Sequence, residues 1–188
     1  MIAVLAPAKI EAPLWPLSVE AYHVLGQLGL IPERTELLYG LVYHKMPKFP
    51  AHRLLFMRLL RFLQEACPLG FHVQPEQPIS CLDSEPEPDL SVVRGSLEDY
   101  TKTHPTTAEL VVEICVTSHE YDRSKLRAYA QAGVKEVWLV LGPEKRIEIY
   151  RLPETDHFVG HEVLENAATL TSTALPSVSM PLMELFRA

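Results

Sequence analysis

The chain has 188 residues, with 17 Lys plus Arg against 24 Asp plus Glu, so its formal charge is −7 with His neutral. That balance excludes attachment to nucleic acid by bulk charge, because each phosphate contact needs a cation to displace a counterion; such a role must rest on a local basic patch or on bound metal. A composition 47% hydrophobic and 22% charged fits one globular domain and excludes wholesale disorder, collagen-like repeats and a coiled coil.

Sixteen Pro against eight Gly predict short elements joined by irregular, kinked loops. Residues 1–17 read as a loose arm carrying Pro7, Pro13 and Pro16, and residues 18–188 as a single domain. The arm has no basic start and little apolar length, and no window approaches the ~18 apolar residues of a membrane span, so a cytoplasmic protein is expected. The first helix starts at Ser18 as N-cap and runs to about Gly29, with Tyr22, Leu25 and Leu28 on one stripe. TELLYGLVYHKM reads as a hairpin turning at Tyr39-Gly40. Pro50 opens a long helix to Cys67, with Leu54, Leu55, Leu59, Phe62, Leu63 and Ala66 at helical spacing.

Beyond Pro68 the pattern turns to strands: FHVQPEQPISCL, DLSVVRG and ELVVEICV. A second helix is expected from Asp122 to Ala132, closed by Gly133, followed by the strands EVWLVLG, RIEIYRL and HFVGHEVL and a tail ending in a short helix. The whole predicts an α/β (α+β) domain in which a mixed sheet is flanked by helices. Cys67, Cys81 and Cys115 are odd in number and lack zinc-site spacing, so no disulfide framework is expected.

Three positions carry chemistry. Glu113 has apolar neighbours on both parities, so its carboxylate is costly there unless it is paired, by an Arg for instance, or bound to metal. Asp89 opens the strand Leu90–Val93, after a loop in which Asp83, Glu85 and Glu87 alternate with Pro86 and Pro88. Four carboxylates at alternate positions suggest a cation site, but taken alone such a loop is more often a solvated acidic turn, whereas a strand-boundary Asp can be held rigidly. If Asp122 caps the second helix, Lys125 lies in its first turn, where the helix dipole disfavours a cation and lowers its pKa slightly. A solvated surface lysine is the plain alternative.

An Asp heading one strand, a Glu 24 residues later on the next, and a nearby Lys resemble the PD-(D/E)xK nuclease core. Its chemistry is coherent: two carboxylates and a backbone carbonyl, here that of Ile114, hold a divalent ion that polarises the scissile phosphate and activates water. The lysine orients or deprotonates that water or stabilises developing charge. Cys115 stands where the pattern has its lysine, so either the site is dead or Lys125 reaches in from the helix. Over about residues 18–187 the chain resembles the Uma family of putative restriction endonucleases, through RTELLYGLVYHKM, PEPDLSVV, ELVVEICVTS and YDRSKLRAYAQAGVKEVWLV.

That resemblance implies a restriction-endonuclease-like fold, Mg²⁺ or Mn²⁺ as cofactor, DNA as substrate, and Asp89 and Glu113 as metal ligands beside Lys125. It also brings in Glu36, facing the metal or its waters, and makes Asp122 the cap of the helix that positions Lys125. His52 fits a family position too, although a helix-start histidine that only packs or binds solvent is the better reading. Arg123 and Arg127, at i and i+4, would share a face and meet phosphates. Metal-dependent hydrolysis of DNA phosphodiester bonds is the leading expectation, with a homodimer as the simple route to duplex cleavage. The alternative is a catalytically inactive nuclease-fold protein that binds DNA or protein. No GxGxxG, P-loop, HExxH or GxSxG motif supports another class.

Overall fold

The computed structural model describes residues 13–117 and 119–187, so most of the expected arm, residues 1–12, lies outside the described residues. Helix α1 spans Val19–Gln27, with the Ser18 hydroxyl accepting from the Ala21 amide at 3.1 Å. A hairpin follows, β1 (Thr35–Leu38) and β2 (Leu41–His44), whose turn at Tyr39-Gly40 has φ of 55° and 74°. Two consecutive positive φ values are the primed turn that matches strand twist. Helix α2 covers Pro50–Ala66.

The main sheet has six strands in the order β3 (Phe71–Pro75), β4 (Leu90–Arg94), β5 (Leu110–Cys115), β6 (Glu136–Leu141), β7 (Arg146–Glu154), β8 (His157–Glu165). Only β5 and β6 run parallel, joined by a crossover through α3 (His119–Ser124) and α4 (Leu126–Gln131); the other neighbours are antiparallel. A small ribbon, β9 (Thr169–Thr171) with β10 (Ser179–Pro181), and α5 (Leu182–Leu185) close the chain. The expected mixed sheet flanked by helices is what the chain forms. No helix among the described residues is long and apolar enough to cross a membrane.

Strand alternation sends β5 residues to two cores. Leu110, Val112 and Ile114 pack with Leu55, Leu59 and Leu63 of α2 and with α5, while Val111 and Cys115 pack with Tyr129 of α4 on the other face. All six β5 residues are therefore buried, Glu113 among them. Two expected core positions differ. Leu54 is half exposed because the buried stripe of α2 is His52, Leu55, Leu59 and Leu63, and α1 buries no residue, leaving Leu28 exposed.

The expected helix from Asp122 to Ala132 is instead two short helices that begin at His119 and break at Lys125. Asp122 lies inside α3 and caps nothing. The cause is tertiary. The Tyr39 hydroxyl donates to the Ser124 carbonyl and accepts from the Ala128 amide at 3.2 Å, entering the i to i−4 ladder between those groups. The far end follows the expected form: Gly133, at φ 70°, bonds Ala130, and Val134 bonds Tyr129, the two bonds of a Schellman stop.

Candidate functional site

The β4–β5 register pairs Leu90 with Val112, so one step further Asp89 stands opposite Glu113 at the strand ends. Three groups hold Asp89. The Ile114 amide and His52 Nε2 donate to Oδ2 at 2.8 and 3.0 Å, and Lys48 Nζ donates to Oδ1 at 2.9 Å. Burial opposes ionisation of Asp89, but His52 and Lys48 outweigh it and hold the carboxyl below its ordinary range. Lys48 also reaches Glu76, and Glu87 is paired with Lys45 beside the same pocket.

Glu113 receives the Tyr129 hydroxyl at 2.6 Å and Lys125 Nζ at 3.2 Å, both on Oε1. Lys125 Nζ lies equally 3.2 Å from Glu36 Oε1 and 4.0 Å from Asp122. Glu36 is fixed in turn by the Tyr121 hydroxyl at 2.8 Å and the Glu87 amide at 3.1 Å. Lys125 is thus no solvated surface residue, and its partners replace the expected slight lowering of its pKa by a rise. Burial alone would lower it, yet Glu113, Glu36 and Asp122 raise it well above an ordinary lysine. Burial pushes Glu113 up to about 8 against the opposing pull of Lys125, with Asp122, Asp89 and Glu36 adding to the rise.

Glu36, Lys48, His52, Asp89, Glu113 and Lys125 line a pocket of about 90 Å³, which also takes in Ile114 and Glu87. That is room for an ion and two or three waters. Among the described residues no three His, Cys, Asp or Glu side chains form a ready-made metal cage. A centre of two carboxylates and a backbone carbonyl asks for only two side chains, however, and an all-oxygen set suits a hard divalent ion. Lys48 sits on Asp89 and Lys125 on Glu113, so both candidate ligands already face ammonium groups. The residues fit the group.

Other expected positions land elsewhere. Arg123 and Arg127 do not share a face, because the helix breaks between them: Arg123 forks onto Glu148 of β7 at 3.1 and 2.7 Å, and Arg127 lies over the Tyr39 ring. Neither lines the pocket. The acidic loop does not converge, since Glu85 turns away to bond His23 and Ser80, each at 2.6 Å. Cys115 is fully buried beneath α4, and burial pushes its thiol up, so an inert thiol stands at the pattern's lysine position. Lys48, Tyr121 and Tyr129 are missing from the expected set, and His52 does more than pack. Tyr129 had a legible signal, four residues after Lys125 on one helical face; Lys48 had none.

The Uma2 family model, described as putative restriction endonuclease, matches residues 25–183. Among solved structures, the chain is similar in fold to a crystal structure of a putative nuclease belonging to DUF820 from Anabaena variabilis. The TM-score is 0.74 at 17% identity, covering 86% of this chain and 96% of that one. No curated protein matches the sequence.

Proposed function

This chain belongs to the Uma2 family of putative restriction endonucleases, and from that premise we propose that it is a divalent-metal-dependent endonuclease that hydrolyses phosphodiester bonds in DNA. The observation that supports the reading is the meeting of Asp89, Glu113 and Lys125 in one buried pocket. Asp89, Glu113 and the Ile114 carbonyl would hold Mg²⁺ or Mn²⁺. When bound, the ion supplies a Lewis acid that polarises the scissile phosphate and activates the attacking water.

The remaining chemistry belongs to the chain's own side chains. His52 and the Ile114 amide fix the orientation of Asp89, and Tyr129 fixes Glu113. Lys125 is held charged by three carboxylates, so it acts as a hydrogen-bond donor to the reacting oxygens and not as a base. Glu36 and Asp122 position Lys125, which takes over the task that a strand lysine at the Cys115 position would otherwise perform.

Incubation with supercoiled and single-stranded DNA plus Mg²⁺ or Mn²⁺ tests the reading. Nicking should disappear in Asp89→Ala and in Lys125→Ala, and cleavage that survives both equally would overturn it.

A further inference from the structure

The ion-sized pocket has no room for a nucleotide, so substrate must rest in adjoining space. One groove shares Lys48, Phe49 and His52 with that pocket and runs on over α2 with a volume of about 680 Å³. Ligand sites hold roughly 300–1,000 Å³. Its walls are mostly apolar, with Phe49 48% exposed, Leu54 51% and Met57 53%, beside Phe56; Glu76, paired with Lys48, is the one carboxylate in the lining. Phe49 caps the helix, and Arg53 and Met57 lie on the side of α2 turned away from its buried stripe, so core packing does not require these three; Phe56 is partly buried against the core.

Cations stand among these apolar groups. Lys48 lies 5.6 Å from the Phe56 ring centroid, and Arg53 is exposed and makes no ion pair among the described residues. The other arginines of α2 are engaged, Arg58 on the carbonyls of Leu185 and Arg187, and Arg61 on Glu65. Exposed aromatic surface interleaved with cations is how proteins hold unpaired nucleotides, the base stacking on a ring while the phosphate meets the cation. A chain of charge −7 has little basic surface to spread along a duplex, whereas stacking gains affinity without net charge.

We infer that the groove over Phe49, Arg53 and Met57 is a subsite for an unpaired nucleotide next to the scissile phosphate, so that the substrate is single-stranded DNA or the unpaired part of a branched duplex. This rests on the proposed nuclease reading. Arg53 and Lys48 would meet the phosphate, and Phe49 would stack on the base.

The test uses the full chain with Ca²⁺ in place of Mg²⁺, a single-stranded oligonucleotide carrying 2-aminopurine, and the same sequence as a duplex. Wild-type protein should quench 2-aminopurine fluorescence and bind the single strand more tightly than the duplex. Phe49→Ala should weaken single-strand binding about 5- to 150-fold and abolish quenching, Phe49→Trp should restore both, and Arg53→Ala should flatten the salt dependence. Equal affinity for the duplex, or single-strand binding unchanged in Phe49→Ala, would overturn the subsite. So would a wild-type dimer that Phe49→Ala splits in sedimentation, since the groove would then belong to a second copy. Mn²⁺ calorimetry separates the two readings. Wild-type protein that binds no Mn²⁺ refutes the nuclease reading and the subsite with it, whereas normal Mn²⁺ binding with no Phe49 effect refutes the subsite alone.

Discussion

Tyr39→Phe removes one oxygen and keeps the ring, including its contact with Arg127. That oxygen bridges the Ser124 carbonyl and the Ala128 amide and so holds the helix open at Lys125. Two bonds are lost at about 1 kcal/mol each, but the freed carbonyl and amide can close on one another and recover one. The net cost is about 1 kcal/mol, a fall in Tm of roughly 2–4 °C for a chain of this size. Direct closure to an ordinary ~2.9 Å bond contracts the break by something on the order of an ångström. Lys125 Nζ is 3.2 Å from each of two carboxylates, so a shift of that size takes it out of register. Misplacement by about 1 Å can cost ~10²-fold in rate. Nicking of supercoiled DNA should therefore fall about a hundredfold, with Mn²⁺ binding still seen in calorimetry because Asp89 and Glu113 are set by β4 and β5 and not by the helix. Wild-type cleavage by Tyr39→Phe would refute the wedge as the device that places Lys125.

Further consequences follow from the same geometry. Glu113 must release its proton to bind a cation, so with its carboxyl at about 8 Mn²⁺ affinity should rise up to tenfold per pH unit from pH 6 and level off above pH 8; a flat calorimetric profile would contradict this. The sign for folding is opposite: the raised carboxyl favours the metal-free fold most below its unfolded value, and that contribution is lost as pH rises through about 8, visible as a falling Tm. Lys48→Met removes an ammonium that competes at Asp89, so Mn²⁺ should bind about two- to fivefold more tightly, the worth of a partly exposed pair. Glu136 is fully buried and accepts from Trp138, Arg151 and Thr173. Glu136→Ala should cost about 3–5 kcal/mol by stranding those donors, read as a Tm loss well beyond that of Tyr39→Phe, with Mn²⁺ affinity of the folded protein unaltered.

Much of the architecture was legible because its signals are local. Ser18 caps α1, Tyr39-Gly40 turns the hairpin, Pro50 opens α2 and Gly133 stops α4, each through backbone preferences carried by the residue itself. Apolar periodicity placed the six strands of the sheet. Asp89 and Glu113 were legible as candidates because a carboxylate inside or at the head of an apolar strand is anomalous without a partner. The split of the second helix was not legible, since Tyr39 acts on it across 85 residues. For the same reason the expected roles of Asp122 as a cap, and of Arg123 and Arg127 as a pair on one face, did not survive folding.

The charge of −7 shows the same division. Composition alone decided that no general attraction to phosphate is available, because that property depends only on how many charges the chain carries. Which of those charges act together was a tertiary matter. Glu36, Asp89 and Glu113, from three segments, were gathered around one pocket, while Glu85 was turned away to His23 and Ser80. The carboxylates the fold places around Lys125 raise its pKa above that of an ordinary lysine, the reverse of what a helix-dipole argument gives, because an ammonium in a buried site takes its pKa from its neighbours.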